Sequence, residues 1–171
     1  MIKDNFLFFW GSTYSQWCPS NFTIEGVTYN CCEQYMMAKK ALLFGDTKNY
    51  FEIMLSTSPR TQKDLGRKVK GFDKDKWEAV CRDIVYNANY AKFTQNPDMK
   101  AELLATGSLE IVEASPEDKI WGIGLAEDNP LAWDRKTWQG TNWLGLAIMQ
   151  VRNEFNRELR ASQEYMFSGG L

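Results

Sequence analysis

The chain is 171 residues long and 44% hydrophobic, with a net charge of −2 and no histidine. That length favours one domain with its own core, and the slight negative charge argues against a broad basic face for nucleic acid. The missing imidazole removes the commonest metal ligand and every Ser-His or Cys-His nucleophile pair, so acid–base work is left to Asp, Glu, Lys, Tyr or Cys.

Cys18, Cys31, Cys32 and Cys81 form no CxxC pair. With no secretory leader read ahead of them, a reduced, cytoplasmic protein is expected. No apolar run approaches the roughly 20 residues of a membrane span. Aromatic residues make up 14% of the chain, seven of them tryptophan, which supplies core and also flat faces on which a base or sugar could stack.

In chain order, Phe6 to Trp10 reads as a buried strand, and Phe22 to Tyr29, broken at Glu25-Gly26, as a hairpin. The loop from Gly11 to Asn21 between them is long enough to be functional. A helix is predicted over Asn30 to Phe44, stopped by Gly45, and Asp46 caps a second through about Leu55. Ser58-Pro59 starts a third, Arg60 to Val69, and Asp73 or Asp75 caps a long one, Lys76 to about Phe93. Its apolar face would be Trp77, Val80, Cys81, Ile84, Val85 and Ala88.

Asp98 to Ala105 reads as a further helix, Leu109 to Ala114 as a strand, and Trp121 to Leu125 as a short extended piece. An irregular stretch from Ala126 to Gly140 precedes a last helix, Asn142 to Leu159, with Thr141 as N-cap, a buried stripe of Leu144, Ile148, Val151 and Phe155, and Arg152, Arg157 and Arg160 facing outward. The expectation is one α+β, predominantly helical domain with a few short strands over residues 1–160, and a flexible tail over 161–171.

The most informative feature is the first helix. Glu33 and Lys40 stand seven residues apart, two turns plus a small remainder, so both project from nearly the same stripe, which also carries Met36 and Met37. Asn30-x-x-Glu33 fits a capping box equally well. Three other segments place polar groups at loops or helix ends: Ser20-Asn21-Phe22; Asp118 to Gly122, with Gly124 beyond; and Trp138 to Asn142, which presents a helix N-terminus suited to an anion. Lys63, Arg67, Lys68 and Lys70 form a local basic cluster that could meet a phosphate or simply be solvated.

Further blocks follow in one order: Cys32-Glu33-Gln34-Tyr35 with Lys40-Ala41, Leu65-Gly66-Arg67, Gly71-Phe72-Asp73 with Trp77, Lys92-Phe93-Thr94-Gln95-Asn96, Leu103 to Gly107, Val112 to Ser115 with Asp118, Trp121 to Leu125, and Trp138-x-Gly140-x-Asn142-x-Leu144-Gly145 into Met149-x-Val151-Arg152. With Ser20-Asn21-Phe22 before them, these blocks resemble the NADAR, or YbiA-like, family over roughly residues 6 to 155. The chain departs from the family mainly at Trp17-Cys18-Pro19, where a Phe or Tyr is commoner.

The resemblance implies a YbiA-like fold and an N-glycosidase that splits a ribose–nitrogen bond. The substrate would be either ADP-ribose attached to guanine in nucleic acid or a phosphorylated ribosylamino-pyrimidine of riboflavin synthesis. Cleaving that bond builds positive charge on the ribose and negative charge on the leaving nitrogen, so a carboxylate and a proton source are needed. Glu33 is the first candidate acid/base, Asp118 the second carboxylate, and Lys40 a point charge for an anion or an amine that attacks the opened ribose. Asn21, Phe22, Lys63, Arg67, Trp77, Trp121, Gly122, Trp138 and Asn142 are the expected substrate-binding residues. No metal or cofactor is expected, since proton transfer can activate the leaving group. The alternative is a non-catalytic module that senses ADP-ribose or a related nucleotide. The oligomeric state is not legible.

Overall fold

The computed structural model describes residues 1–167. In chain order its elements are β1 (Ile2–Lys3), β2 (Phe6–Phe9), β3 (Phe22–Ile24), β4 (Val27–Tyr29), α1 (Cys32–Leu43), α2 (Thr47–Leu55), α3 (Pro59–Arg67), α4 (Lys74–Glu78), α5 (Cys81–Gln95), α6 (Pro97–Ala105), β5 (Glu110–Glu113), two 3-10 turns (Pro130–Trp133 and Arg135–Thr137) and α7 (Trp143–Phe167). Helices dominate and the strands are few and short, the α+β class expected from the sequence. Among the described residues no helix is long and apolar enough to cross a membrane. The chain divides into two compact units, one of Phe9–Pro97 and one of Met1–Phe8 with the segment from Asp98 onward.

In the Phe9–Pro97 unit, β3 and β4 form the expected hairpin, pairing Phe22 with Tyr29 and Ile24 with Val27. Glu25 and Gly26 both take positive φ at its turn, the backbone that a tight two-residue hairpin needs. Helix α1 is the centre of this unit, packed by α2, α3 and α5 and buried at Cys32 through Ala38 and at Ala41. It ends in a Schellman arrangement: Gly45, at φ +70°, donates its N–H to the Leu42 carbonyl and Asp46 donates to that of Ala41. Asp46, Ser58 and Asp73 cap α2, α3 and α4 as their types predict.

Two expectations fail in this unit. The long helix from Lys76 is two helices, α4 and α5, because the backbone leaves helical geometry at Val80 (φ −126°). Trp77 therefore belongs to α4, and Cys81, Val85 and Ala88 to α5. The Asn30/Glu33 capping box does not form either. Cys31 is the N-cap, without a side-chain bond, and the Asn30 N–H is taken by Gln34 Oε1 at 2.8 Å. The Gln34 amide also donates to the carbonyls of Ile53, Met54 and Ser56, so Gln34 rather than Glu33 ties down the helix entrance.

In the other unit β1, β2 and β5 form a three-stranded sheet, and α7 packs on β5. Its core gathers Phe8, Val112, Ala114, Ile123, Leu125 and Ala132, with Phe6, Trp133 and Trp138 against them. Trp121 to Leu125 is not a strand; it is irregular and meets β5 through Ile123 N–H to Glu113 O at 2.9 Å. Helix α7 runs on to Phe167 instead of stopping at Leu159; the last four residues of the expected tail lie outside the described residues. Arg152 does not face outward: it is 5% exposed, and its guanidinium donates to Thr106 Oγ1 and the Leu109 carbonyl just past α6.

Gly145 allows α7 to approach β5 so closely, because a Cβ there would lie 2.1 Å from the Ile111 carbonyl oxygen. Overpacking against backbone has no flexible side chain to absorb it. Gly145→Ala is therefore expected to destabilise the fold by about 2–3 kcal/mol, read as a lowered midpoint in denaturant; an unchanged midpoint would show that the contact is slack.

Candidate active site

Helix α1 presents both charges of the predicted stripe. Glu33 lies in its first turn, 6% exposed, and Lys40 in its last, half-buried. Seven residues of α-helix rise about 10 Å along the axis. The Lys40 ammonium sits 4.4 Å from the centre of the Phe72 ring and 5.6 Å from that of Trp77. Burial in this slot lowers the Lys40 pKa; the Glu33 carboxylate raises it and the Arg67 guanidinium lowers it, and the net shift is downward. Glu33, Lys40 and Arg67 thus share one electrostatic environment.

Arg67 reaches that environment because α3 closes tightly on α1. A Cβ on Gly66 would stand 1.9 Å from Met37 Sδ, so a side chain there would have to displace the Met37 thioether from between the two helices. Arg67 itself is exposed and pairs with Asp64 at 3.7 Å. Lys63, four residues earlier on α3, lies 5.8 Å from the Trp17 ring. Asn21 is exposed at the start of β3, and its carbonyl accepts from the Asn96 amide.

Phe22 does not offer a stacking face. It is 2% exposed, with its ring packed against Tyr29 and Tyr35, so its apolar surface belongs to the core. The thiols adjoining Glu33 are no nucleophiles: burial pushes Cys31 up to about 11 and Cys32 up to about 12, and a thiolate is the reactive form.

Residues that the sequence reading did not single out hold Glu33 in place. Its backbone N–H donates to the Gln16 carbonyl at 3.0 Å, and Gln16 Oε1 accepts from the Asn89 amide at 2.9 Å. Lys92, wholly buried on α5, donates its ammonium to the carbonyls of Thr13 (2.5 Å) and Ser15 (3.1 Å). A buried cation needs such partners, and here they fix the long early loop that carries Gln16. Lys92→Met takes a charged donor from two carbonyls and is expected to cost about 3 kcal/mol. Denaturant unfolding measures this, and a loss below 1 kcal/mol would contradict the assignment.

The remaining candidates belong to the other unit. Asp118 Oδ1 accepts from the N–H groups of Ile120 and Trp121, leaving Oδ2 outside both bonds. Trp121 meets Trp143 edge-on at 5.8 Å. Gly122 is a close-approach position, since a Cβ would lie 2.9 Å from the carbonyl oxygens of Asp118 and Glu113. Trp138 is half-buried, and its indole N–H donates to Ala132 O at 2.7 Å. Asn142, 1% exposed and at φ 51°, accepts from Glu113 N–H and donates to Ile111 O through its side chain. That amide completes the edge of β5, so hydrogen-bonding to a ribose is not its work. Thr141 gives its hydroxyl to the Ile120 carbonyl rather than to a cap. Among the described residues no group of three or more acidic or cysteine side chains is gathered as a metal cage would require.

The architecture is a helix-dominated α+β fold with a carboxylate and an aromatic-lined lysine on α1. The NADAR domain matches residues 8–156, and the chain belongs to that family. It is 42% identical over 167 residues to the N-glycosidase R617 of Acanthamoeba polyphaga mimivirus, covering 90% of this chain and 98% of the relative. It is 35% identical to the chloroplastic riboflavin biosynthesis protein PYRR of Zea mays, over 66% of this chain and 17% of that protein. The solution structure of the Escherichia coli protein YbiA superposes with a TM-score of 0.75 at 27% identity, covering 92% of this chain and 89% of that one.

Proposed function

We propose that this enzyme is an N-glycosidase that hydrolyses the ribose C1–nitrogen bond of a nucleotide-type substrate, with Glu33 and Lys40 as its reacting groups. The enzyme class rests on family membership and on similarity over nearly the whole chain to a protein named as an N-glycosidase. The single observation carrying the residue roles is that α1 holds a nearly buried carboxylate within electrostatic reach of a lysine whose pKa is lowered by burial. Perturbed titratable groups of this kind concentrate where proton transfer and nucleophilic attack occur.

The chemistry runs as follows. As the C1–N bond lengthens, its electron pair goes to the leaving base, which takes a proton. Glu33, protonated at the start, donates that proton and, as the carboxylate it becomes, stabilises the cationic ribose. Lys40 in its neutral form adds its lone pair to C1; ring opening gives a protonated imine, and water releases the ribose and regenerates the amine. Arg67 and Lys63 receive the phosphate, and Trp77 lines the slot around Lys40. Asp118 is retained as a separate candidate carboxylate through Oδ2, tested by Asp118→Asn.

Two substrates fit this chemistry: ADP-ribose joined to guanine in an oligonucleotide, and a phosphorylated ribosylamino-pyrimidine, toward which the name of the maize relative points. Incubation with each, followed by chromatography for free base, tests the reading. Release from one or both supports it, and release from neither contradicts it. A chelator in the same assay is expected to leave the rate unchanged.

A further inference from the structure

Gln16 brings a side-chain amide to the stripe that carries Glu33 and Lys40. It is 8% exposed, and its backbone carbonyl receives the Glu33 N–H at 3.0 Å, so its side chain starts beside the carboxylate. Which end of that amide faces α1 is decided by α5. Wholly buried Asn89 donates from Nδ2 to the Val85 carbonyl one turn back at 2.9 Å, and its Oδ1 accepts the Cys32 thiol at 3.9 Å. Asn89 therefore offers Gln16 its second N–H rather than its oxygen, and Gln16 Oε1 takes it at 2.9 Å. Nε2 is the end left to face α1. It stands 4.0 Å from the sulfur of Met36, which lies three residues past Glu33 and four before Lys40 on the same helix face.

An amide nitrogen has two hydrogens to place, and a thioether is a weak acceptor. Among the described residues the Met36 sulfur is the one acceptor that Nε2 meets, although buried donors are almost always satisfied. The fold thus holds a donor of fixed orientation, with capacity to spare, between the two reacting groups. We propose that Gln16 is a specificity-determining residue of the reaction, donating from Nε2 to the ribose 2-hydroxyl, on the carbon next to the reacting C1. This rests on the N-glycosidase reading and deepens it: a site built around a sugar hydroxyl rejects the sugar that lacks it, because the buried donor is then left unpaired.

Calorimetric titration with ribose 5-phosphate and with 2-deoxyribose 5-phosphate, which differ at that one hydroxyl, tests the assignment. The wild type is expected to bind the ribose compound about tenfold more tightly. Gln16→Met keeps the length of the side chain and removes the donor, and Gln16→Glu removes the donor while keeping an oxygen for Asn89. Both variants, checked by circular dichroism, should bring the two affinities within about twofold of each other. Taking the ratio of the two sugars within one protein cancels any effect of the new charge on the shared phosphate. A wild type that binds the two alike or binds neither, or a preference that survives in either folded variant, would overturn the assignment. The two readings fail separately: base release without sugar discrimination removes only the role of Gln16, and discrimination with no base release from either candidate substrate removes the glycosidase.

Discussion

Glu33→Gln is expected to lower turnover by about 10²- to 10⁴-fold, the usual contribution of a positioned acid or base, while substrate binding and stability stay near wild type. The exchange keeps the size and one accepting oxygen while removing the ionisable group. The side chain is not the helix cap, since the Asn30 N–H belongs to Gln34 and the Glu33 backbone bond to Gln16 survives any side-chain change. Steady-state rates beside equilibrium binding of the same substrate read the effect. Full turnover in the variant would leave Glu33 a structural residue and favour a nucleotide-sensing module over an enzyme.

Lys40 carries the second large effect. Lys40→Met should reduce turnover by about 10²-fold or more, and the response to Lys40→Arg separates its two roles: arginine restores a point charge for an anion and cannot form an imine. The account expects no rescue by arginine. It also expects borohydride to trap an adduct on Lys40 during turnover, located by peptide mass spectrometry.

The pH dependence follows from the groups around the amine. In the proposed mechanism the attacking amine is neutral, so the rate should rise with pH through the Lys40 pKa, which burial brings below the usual lysine value of 10.5. Arg67 lowers that pKa further, so Arg67→Gln should move the rising limb to higher pH. A limb that does not move, or no adduct from an active substrate, would return Lys40 to the role of a cation.

The sequence made α1 legible because its stop at Gly45 and its charges two turns apart are local signals, and the hairpin turn and the Asp46, Ser58 and Asp73 caps were legible for the same reason. What sequence could not place were features decided by tertiary contact. Val80 sits on an unbroken apolar pattern, yet the helix breaks there, and Trp77 on the preceding short helix stands by Lys40. Phe22 and Asn142 fall in loop-like motifs that suggest ligand contact, and both are consumed by the fold. Lys92 shows the opposite case. It stands on the buried face of α5 with Val85 and Ala88, and a lysine on an apolar stripe is a signal that a buried anchor is required.

The most direct measurement is single-turnover release of free base from an ADP-ribosylated guanine oligonucleotide and from a ribosylamino-pyrimidine phosphate, by wild-type protein beside Glu33→Gln/Lys40→Met. The account predicts release by the wild type from at least one of them, and none by the double variant despite native circular dichroism and retained binding. Release at the same rate by both proteins would contradict it.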